Sequence, residues 1–279
     1  MKAAIPTDAF RPEGSRFDED STPQKEMMTG SILDGRINIG GDLVYWLSSL
    51  LMEAAVPGTW TFLPDNYNPN TITTYTMERG TGTTGERASF VCCDSLEFTW
   101  NRTQANMRGT VFGQVLTPGQ TMNTTSVTKT TKALAIPGKV RVMVGTSIGG
   151  LAKITGCVQA GLSIRGTHGP QFYLDDADTT YGKVVALAPT VGARLVVEND
   201  SVANGYLTDL RNSTLKFLRI ISYGPSGYSA QFTMPFKFSD DDFVDTDNLD
   251  TVAYDLRPLN DSSLLSAIEV VVTNTMVAY

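Results

Sequence analysis

The chain has 279 residues, 41% of them hydrophobic and 18% charged, the composition of a folded protein with a sizeable core rather than of a disordered one. Its formal net charge is −7, and the segment from Asp240 to Asp261, with eight acids against one base (Arg257), accounts for all of it. The other 21 acids and 21 bases cancel, so the chain lacks the Lys/Arg excess on which nucleic-acid affinity rests.

No apolar run reaches the ~18 residues of a membrane span, and the first twenty residues contain no apolar signal-peptide core. The three cysteines, Cys92, Cys93 and Cys157, have no metal-ligand spacing, and their pattern fits reduced core thiols in a reducing compartment.

In chain order, residues 1–29 carry three prolines and little periodicity, and read as an extended arm with Phe10 and Phe17 as anchors. GGDLVYWLSSLLMEAAVPG is the one convincing helix: Asp42 can cap it, Leu43, Trp46, Leu47, Leu50, Leu51 and Ala54 recur at helical spacing, and Pro57-Gly58 stops it. Most of the remaining chain alternates with period two, as half-buried strands do. In SFVCCDSLEFTW the even positions Phe90, Cys92, Leu96, Phe98 and Trp100 are apolar, with Asp94 the exception. In YSAQFTMPFKF the even positions Ala230, Phe232, Met234, Phe236 and Phe238 all are. Further strands are expected at Val140–Val144, Ala193–Val197, Leu215–Tyr223 and Ile268–Met276. The threonine-rich TMNTTSVTKTTK (Thr121–Lys132) reads as a boundary or long loop. Across it, FVCCDSLEFTWNRT lies over ITGCVQAGLSIRGT at an offset of 64, an echo compatible with two related β subdomains.

Motifs that would carry chemistry fail on spacing. FSDDDFVDTDNLDTVAYD (Phe238–Asp255) holds seven aspartates, yet no register supplies the glycine and terminal carboxylate of an EF-hand loop, and it reads as a charged loop between two strands. GTSIG (Gly145–Gly149) matches a nucleophile elbow, but no Asp or Glu separates Ser147 from His168, the single histidine, so a turn is the better reading. His168 itself, in GTHGP, is expected at the surface.

The order of phrases does resemble a family. A helix GDLVYWLSSLL leads to TFLPDNYNPNTITTYTMERG and SFVCCDSLEFTWNRTQANMRGTVFGQ. The second half runs VRVMVGTS, DADT, LRNSTLKFLRIISYGP, a strand, the acidic stretch and VVVTNT. From residue 30 onward this looks like the tail tube (major tail) protein of long-tailed bacteriophages, in its two-subdomain form. The resemblance implies a mainly β fold: two β-sandwich-like subdomains (30–133 and 134–279) behind the arm (1–29), with a flanking α-helix and inner sheets that form a barrel in the assembled ring. It implies a non-enzymatic virion protein without cofactor or metal. Such a protein is made in the host cytoplasm, forms homo-oligomeric rings stacked into a tube, and meets tape-measure, tail-terminator and distal-tail proteins. DNA passes through the lumen without specific binding, and no membrane is involved. Three chains per ring are expected if the echo is a duplication, six otherwise. Candidate ring or inter-ring contacts are Phe10, Phe17, Asp65, Tyr67, Asp240, Asp241 and Asp242, and Glu97, Thr99 and Asn101 are candidate lumen-facing residues. The competing readings are a calcium- or carbohydrate-binding β-sandwich module, with Trp60, Trp100, Tyr67 and Tyr75 as aromatic platforms, and a hydrolase with paired carboxylates.

Overall fold

The computed structural model describes residues 1–4, 7–10, 20–23, 25–52, 58–65, 68–81, 84–122, 130–174, 177, 179–187, 189–246 and 249–276. In chain order its elements are β1 (Lys2–Ala4), β2 (Thr7–Phe10), β3 (Asp20–Pro23), β4 (Met27–Arg36), α1 (Asp42–Leu50), β5 (Thr59–Phe62), β6 (Tyr75–Thr81), β7 (Thr84–Asn101), β8 (Ala105–Gly113) and β9 (Leu116–Gln120). Next are β10 (Val140–Gly145), β11 (Ala152–Lys153), β12 (Cys157–Arg165), β13 (His168–Gln171), β14 (Lys183–Ala186), β15 (Thr190–Glu198), α2 (Ser201–Arg211), β16 (Lys216–Tyr223), β17 (Ser229–Thr246), β18 (Leu249–Pro258) and β19 (Glu269–Thr273). The protein is mainly β, and its large sheet is antiparallel throughout and open, with no closed barrel among the described residues.

One layer runs β1-β4-β8-β7-β12-β15-β18-β17. The second is built on the first half of β17, which lies between β16 and β19, with β10 and β11 beyond β16 and β5 beyond β19. The strand β17 therefore belongs to both layers: residues 229–236 pair with β16, and 236–246 pair with β18. Between the layers sits the main core. Phe98 stacks on Trp100 at 5.6 Å and meets Phe232 of the other layer at 4.8 Å, and Leu43, Leu47 and Leu50 of α1 join the same cluster. Leu162, Leu195 and Leu256 extend it across the second half of the chain.

The pairing registers expose a repeat. A shift of 145 residues carries the β7–β8 pair Ser95↔Thr110 onto the β17–β18 pair Asp240↔Asp255, and Trp100↔Ala105 onto Asp245↔Asp250. The same shift carries the β7 bulge between Cys93 and Ser95 onto the β17 bulge between Phe238 and Asp240. A strand preceding a helix flanks each hairpin on the same side: β4 pairs with β8 and leads to α1, and β15 pairs with β18 and leads to α2. The echo at offset 64 has a different origin. Its two phrases are β7 and β12, which pair with each other, Phe98 opposite Leu162.

The bulge also explains the break in alternation at Asp94. An extra residue flips the side-chain parity, so odd Cys93 and even Leu96, Phe98 and Trp100 share the core, while Cys92 turns to a small cluster with Phe112 and Tyr181. Phe90 leaves the apolar row altogether. It takes φ +50° and is 55% exposed, and its carbonyl accepts a hydrogen bond from the Tyr181 hydroxyl at 2.7 Å.

Three expectations are corrected. The acidic stretch is not a loop: β17 continues through it to Thr246 and turns back into β18, because Val252 and Tyr254 opposite it are buried and hold the register. A second helix, α2, exists, capped by Asp200 Oδ1, which accepts from the N–H of Val202 (2.8 Å) and of Ala203 (3.1 Å). Its sequence carries no apolar stripe, because only Ala203 and Tyr206 are buried on it. In α1, Asp42 is the first helical residue rather than the cap. Its carboxylate accepts from Asn38 Nδ2 (3.0 Å) and Thr130 Oγ1 (2.7 Å), tying the helix entry to two loops. The helix ends at Leu50, whose carbonyl is taken by the Thr167 hydroxyl, and residues 53–57 lie outside the described residues.

Candidate functional site

The first layer has a largely solvated face opposite the core, on which Val196 and Ala253 are nonetheless buried, and the strand registers bring residues far apart in sequence into rows across it. One row runs Arg36–Asn106–Thr99–Gly161–Arg194–Asp255–Asp240 through seven strands. A neighbouring row runs Asn101–Gln159–Val196–Ala253–Asp242. Glu97, Thr99 and Asn101 therefore share one face with Asp240 and Asp242, while Asp241 points to the opposite side against Tyr254. Gly161, Ser163 and Gly192 leave a shallow groove of about 380 Å³ between Thr99 and Arg194.

Charge on this face is paired toward its middle and unpaired at one end. Glu97 accepts from Arg108 Nε at 2.6 Å and from Arg165, and Arg194 lies 3.5 Å from Asp255. Among the described residues no cation stands within ion-pair distance of Asp240 or Asp242. These end the sheet on β17, whose residues 240–246 pair, among the described residues, with β18 alone. Phe243, in the middle of that open edge, is 72% exposed. Burial and, to a lesser degree, the neighbouring Asp241 push the Tyr254 hydroxyl up to about 12, and that hydroxyl donates to the Ala203 carbonyl of α2 at 2.7 Å.

The remaining candidates lie elsewhere. Asp65 is exposed, and its carboxylate accepts from the N–H of Asn68 (3.2 Å) and from Asn68 Nδ2 (2.8 Å). Phe10 ends β2, which pairs with β3 in a separate hairpin. Phe17 and Tyr67 lie outside the described residues. Trp60 and Trp100 are buried, so neither offers the aromatic platform of a carbohydrate site. No group of three or more His, Cys, Asp or Glu side chains among the described residues could hold a metal ion.

Ser147 is exposed and caps a single 3-10 turn, its hydroxyl accepting from Gly150 N–H at 3.1 Å. His168 is not at the surface. It is 4% exposed, with Nδ1 3.0 Å from Thr167 Oγ1, and burial lowers its pKa. Burial likewise pushes the Cys92 and Cys157 thiols up to about 12, so neither is an activated nucleophile. Arg108, Arg165, Arg194 and Asp255 carry no signal in the linear chain, because they adjoin only through strand pairing.

No known family model matches this chain, and no curated protein matches it. The face and the edges of the sheet are what remain to indicate a function. No helix among the described residues is long and apolar enough to cross a membrane.

Proposed function

We propose that this chain is the tail tube protein of a long-tailed bacteriophage, a structural protein without catalysis that assembles into stacked rings around a channel for DNA. The observation that carries the reading is the first layer itself: one apolar face against a second layer, one wet face, and a strand at either end with an edge unpaired among the described residues. An open edge is a liability in a monomer and a joint in an assembly. In the ring these layers join into a barrel whose wet face, with Glu97, Thr99 and Asn101, lines the lumen.

A lumen of this kind lets DNA slide. Arg194 is paired with Asp255, Arg108 and Arg165 share the single charge of Glu97, and the unpaired Asp240 and Asp242 offset the remaining cations, so the face carries no large positive excess to hold a phosphate backbone. The shared register of the two hairpins supports two equivalent units per chain, and hence three chains per ring. The tape-measure, terminator and distal-tail proteins would then be its partners in the virion.

Negative-stain microscopy of the purified protein tests this directly. Rings or tubes are the expected result, and a strictly monomeric species at high concentration would overturn it.

A further inference from the structure

The seam between the two halves of the chain is a template for a contact the single chain leaves unmade. Within the chain, β12 fills the outer edge of β7: Ser163 lies opposite Glu97, Ile164 opposite Leu96 and Arg165 opposite Ser95. On its other side β12 pairs with β15, Ser163 opposite Gly192 and Arg165 opposite Thr190.

The repeat converts these positions. Glu97, Leu96 and Ser95 correspond to Asp242, Asp241 and Asp240 of β17, where nothing among the described residues occupies the edge. Since β8 and β18 superpose by the same shift, Ala193 (opposite Leu256) corresponds to Gly30 (opposite Val111), and Gly192 to Thr29. Thr29 is paired with Lys2. Lys2, Ala3 and Ala4 of β1 therefore stand to β4 as Ser163, Ile164 and Arg165 stand to β15. The outer edge of β1 is unpaired among the described residues, and β1 and β17 lie at opposite ends of an eight-strand layer that stays open within the single chain.

We infer that β1 of a second copy of this chain fills the β17 edge, antiparallel, with Lys2 opposite Asp242, Ala3 opposite Asp241 and Ala4 opposite Asp240. The chemistry of the two edges agrees with the register. Lys2 is exposed and falls on the wet face, the same face as Asp240 and Asp242, which have no cation beside them among the described residues. The two alanines bring no bulk or charge against the aspartates. One residue further, Met1 comes against Phe243, as Leu162 lies against Phe98 inside the chain, and covers part of its exposed ring. The contact is head-to-tail, so repetition gives a ring or a filament rather than a two-fold dimer. This rests on the reading of the protein as a self-assembling tube, and deepens it by naming the strands that join.

Two sets of variants test the register. In Lys2→Cys/Asp242→Cys the paired Cα atoms stand roughly 4.5–5.5 Å apart, within reach of a disulfide. Oxidation of assembled protein should give a ladder of linked chains on a non-reducing gel, at least ten-fold stronger than either single variant or Lys2→Cys/Thr246→Cys, which is out of register. Separately, Lys2→Glu and Asp242→Lys should each slow ring formation, and the double variant should restore it. Rings that form without a disulfide between positions 2 and 242, or that link equally in both registers, or that ignore Lys2→Glu, overturn the strand assignment while the tube reading stands. Wild-type protein that never leaves the monomer overturns both.

Discussion

The hairpins β7–β8 and β17–β18 share a bulge and a register, yet their far halves carry opposite chemistry. Leu96, Phe98 and Trp100 of the first are buried, and the corresponding Asp241, Phe243 and Asp245 of the second are aspartate, a largely exposed phenylalanine and aspartate. The difference follows from the structure beside and above each strand. The first hairpin has β12 at its edge and the second layer over its apolar side, with Phe232 against Phe98. The second has a free edge, and α2 covers it only as far as Phe238 and Tyr254, through Tyr206 at 5.1 and 5.9 Å. One backbone design thus serves as core in one place and as an outward edge in the other.

Truncating the same position in both hairpins puts this contrast under the most severe test. Phe98→Ala opens a cavity between the layers and should cost about 3–5 kcal/mol, whereas Phe243→Ala in unassembled protein should change stability by no more than about 0.5 kcal/mol. Urea denaturation reads both, and equal losses would dissolve the distinction.

Next come the bonds that tie each helix to its hairpin. Tyr254→Phe removes the hydroxyl that donates to the Ala203 carbonyl, and Ser49→Ala removes the acceptor of the Cys93 N–H freed at the bulge (2.8 Å). Each leaves a buried group unpaired, at a cost of about 1–3 kcal/mol. Similar losses in the two variants would show that the repeat extends to energetics. Asp200→Ala, which strips the cap of α2, should cost about 1 kcal/mol and be visible as lost helical ellipticity.

A pH titration separates the two regions in a different way. Burial holds His168 neutral and its folded pKa below the unfolded value of about 6.5, so the unfolded chain binds more protons in that interval. Stability should be complete above pH ~6.5 and fall as the pH drops through it toward the folded pKa. His168→Gln should flatten that slope. The smallest effect belongs to the acidic edge: replacing Asp240, Asp241 and Asp242 by asparagine should shift monomer stability by less than about 1 kcal/mol, since the charges are largely solvated. Assembly is the readout that should respond. Tube formation indifferent to these changes and to ionic strength would reduce the acidic edge to a solvated face.

Much of the fold was legible because local chemistry and tertiary structure agree. Phe232, Met234, Phe236 and Phe238 alternate and are buried, and the helix at Asp42–Leu50 carries its apolar stripe in the sequence. Asp94 was legible too, as a broken alternation, but a bulge and a buried aspartate give the same pattern, and pairing alone tells them apart. The candidate site was less legible. Its rows join residues as distant as Arg36 and Asp240, and the repeat survives in the backbone register after the side chains that would reveal it have diverged.

Composition and period-two alternation are local properties, and they were enough to establish a β-rich protein with a neutral body and one acidic segment. Three-dimensional pairing alone made the acidic segment an edge strand, set β12 as the bridge between the two halves, and put Asp240 on the same face as Thr99. Strand order and register are set by contacts across the whole chain, which no local pattern encodes.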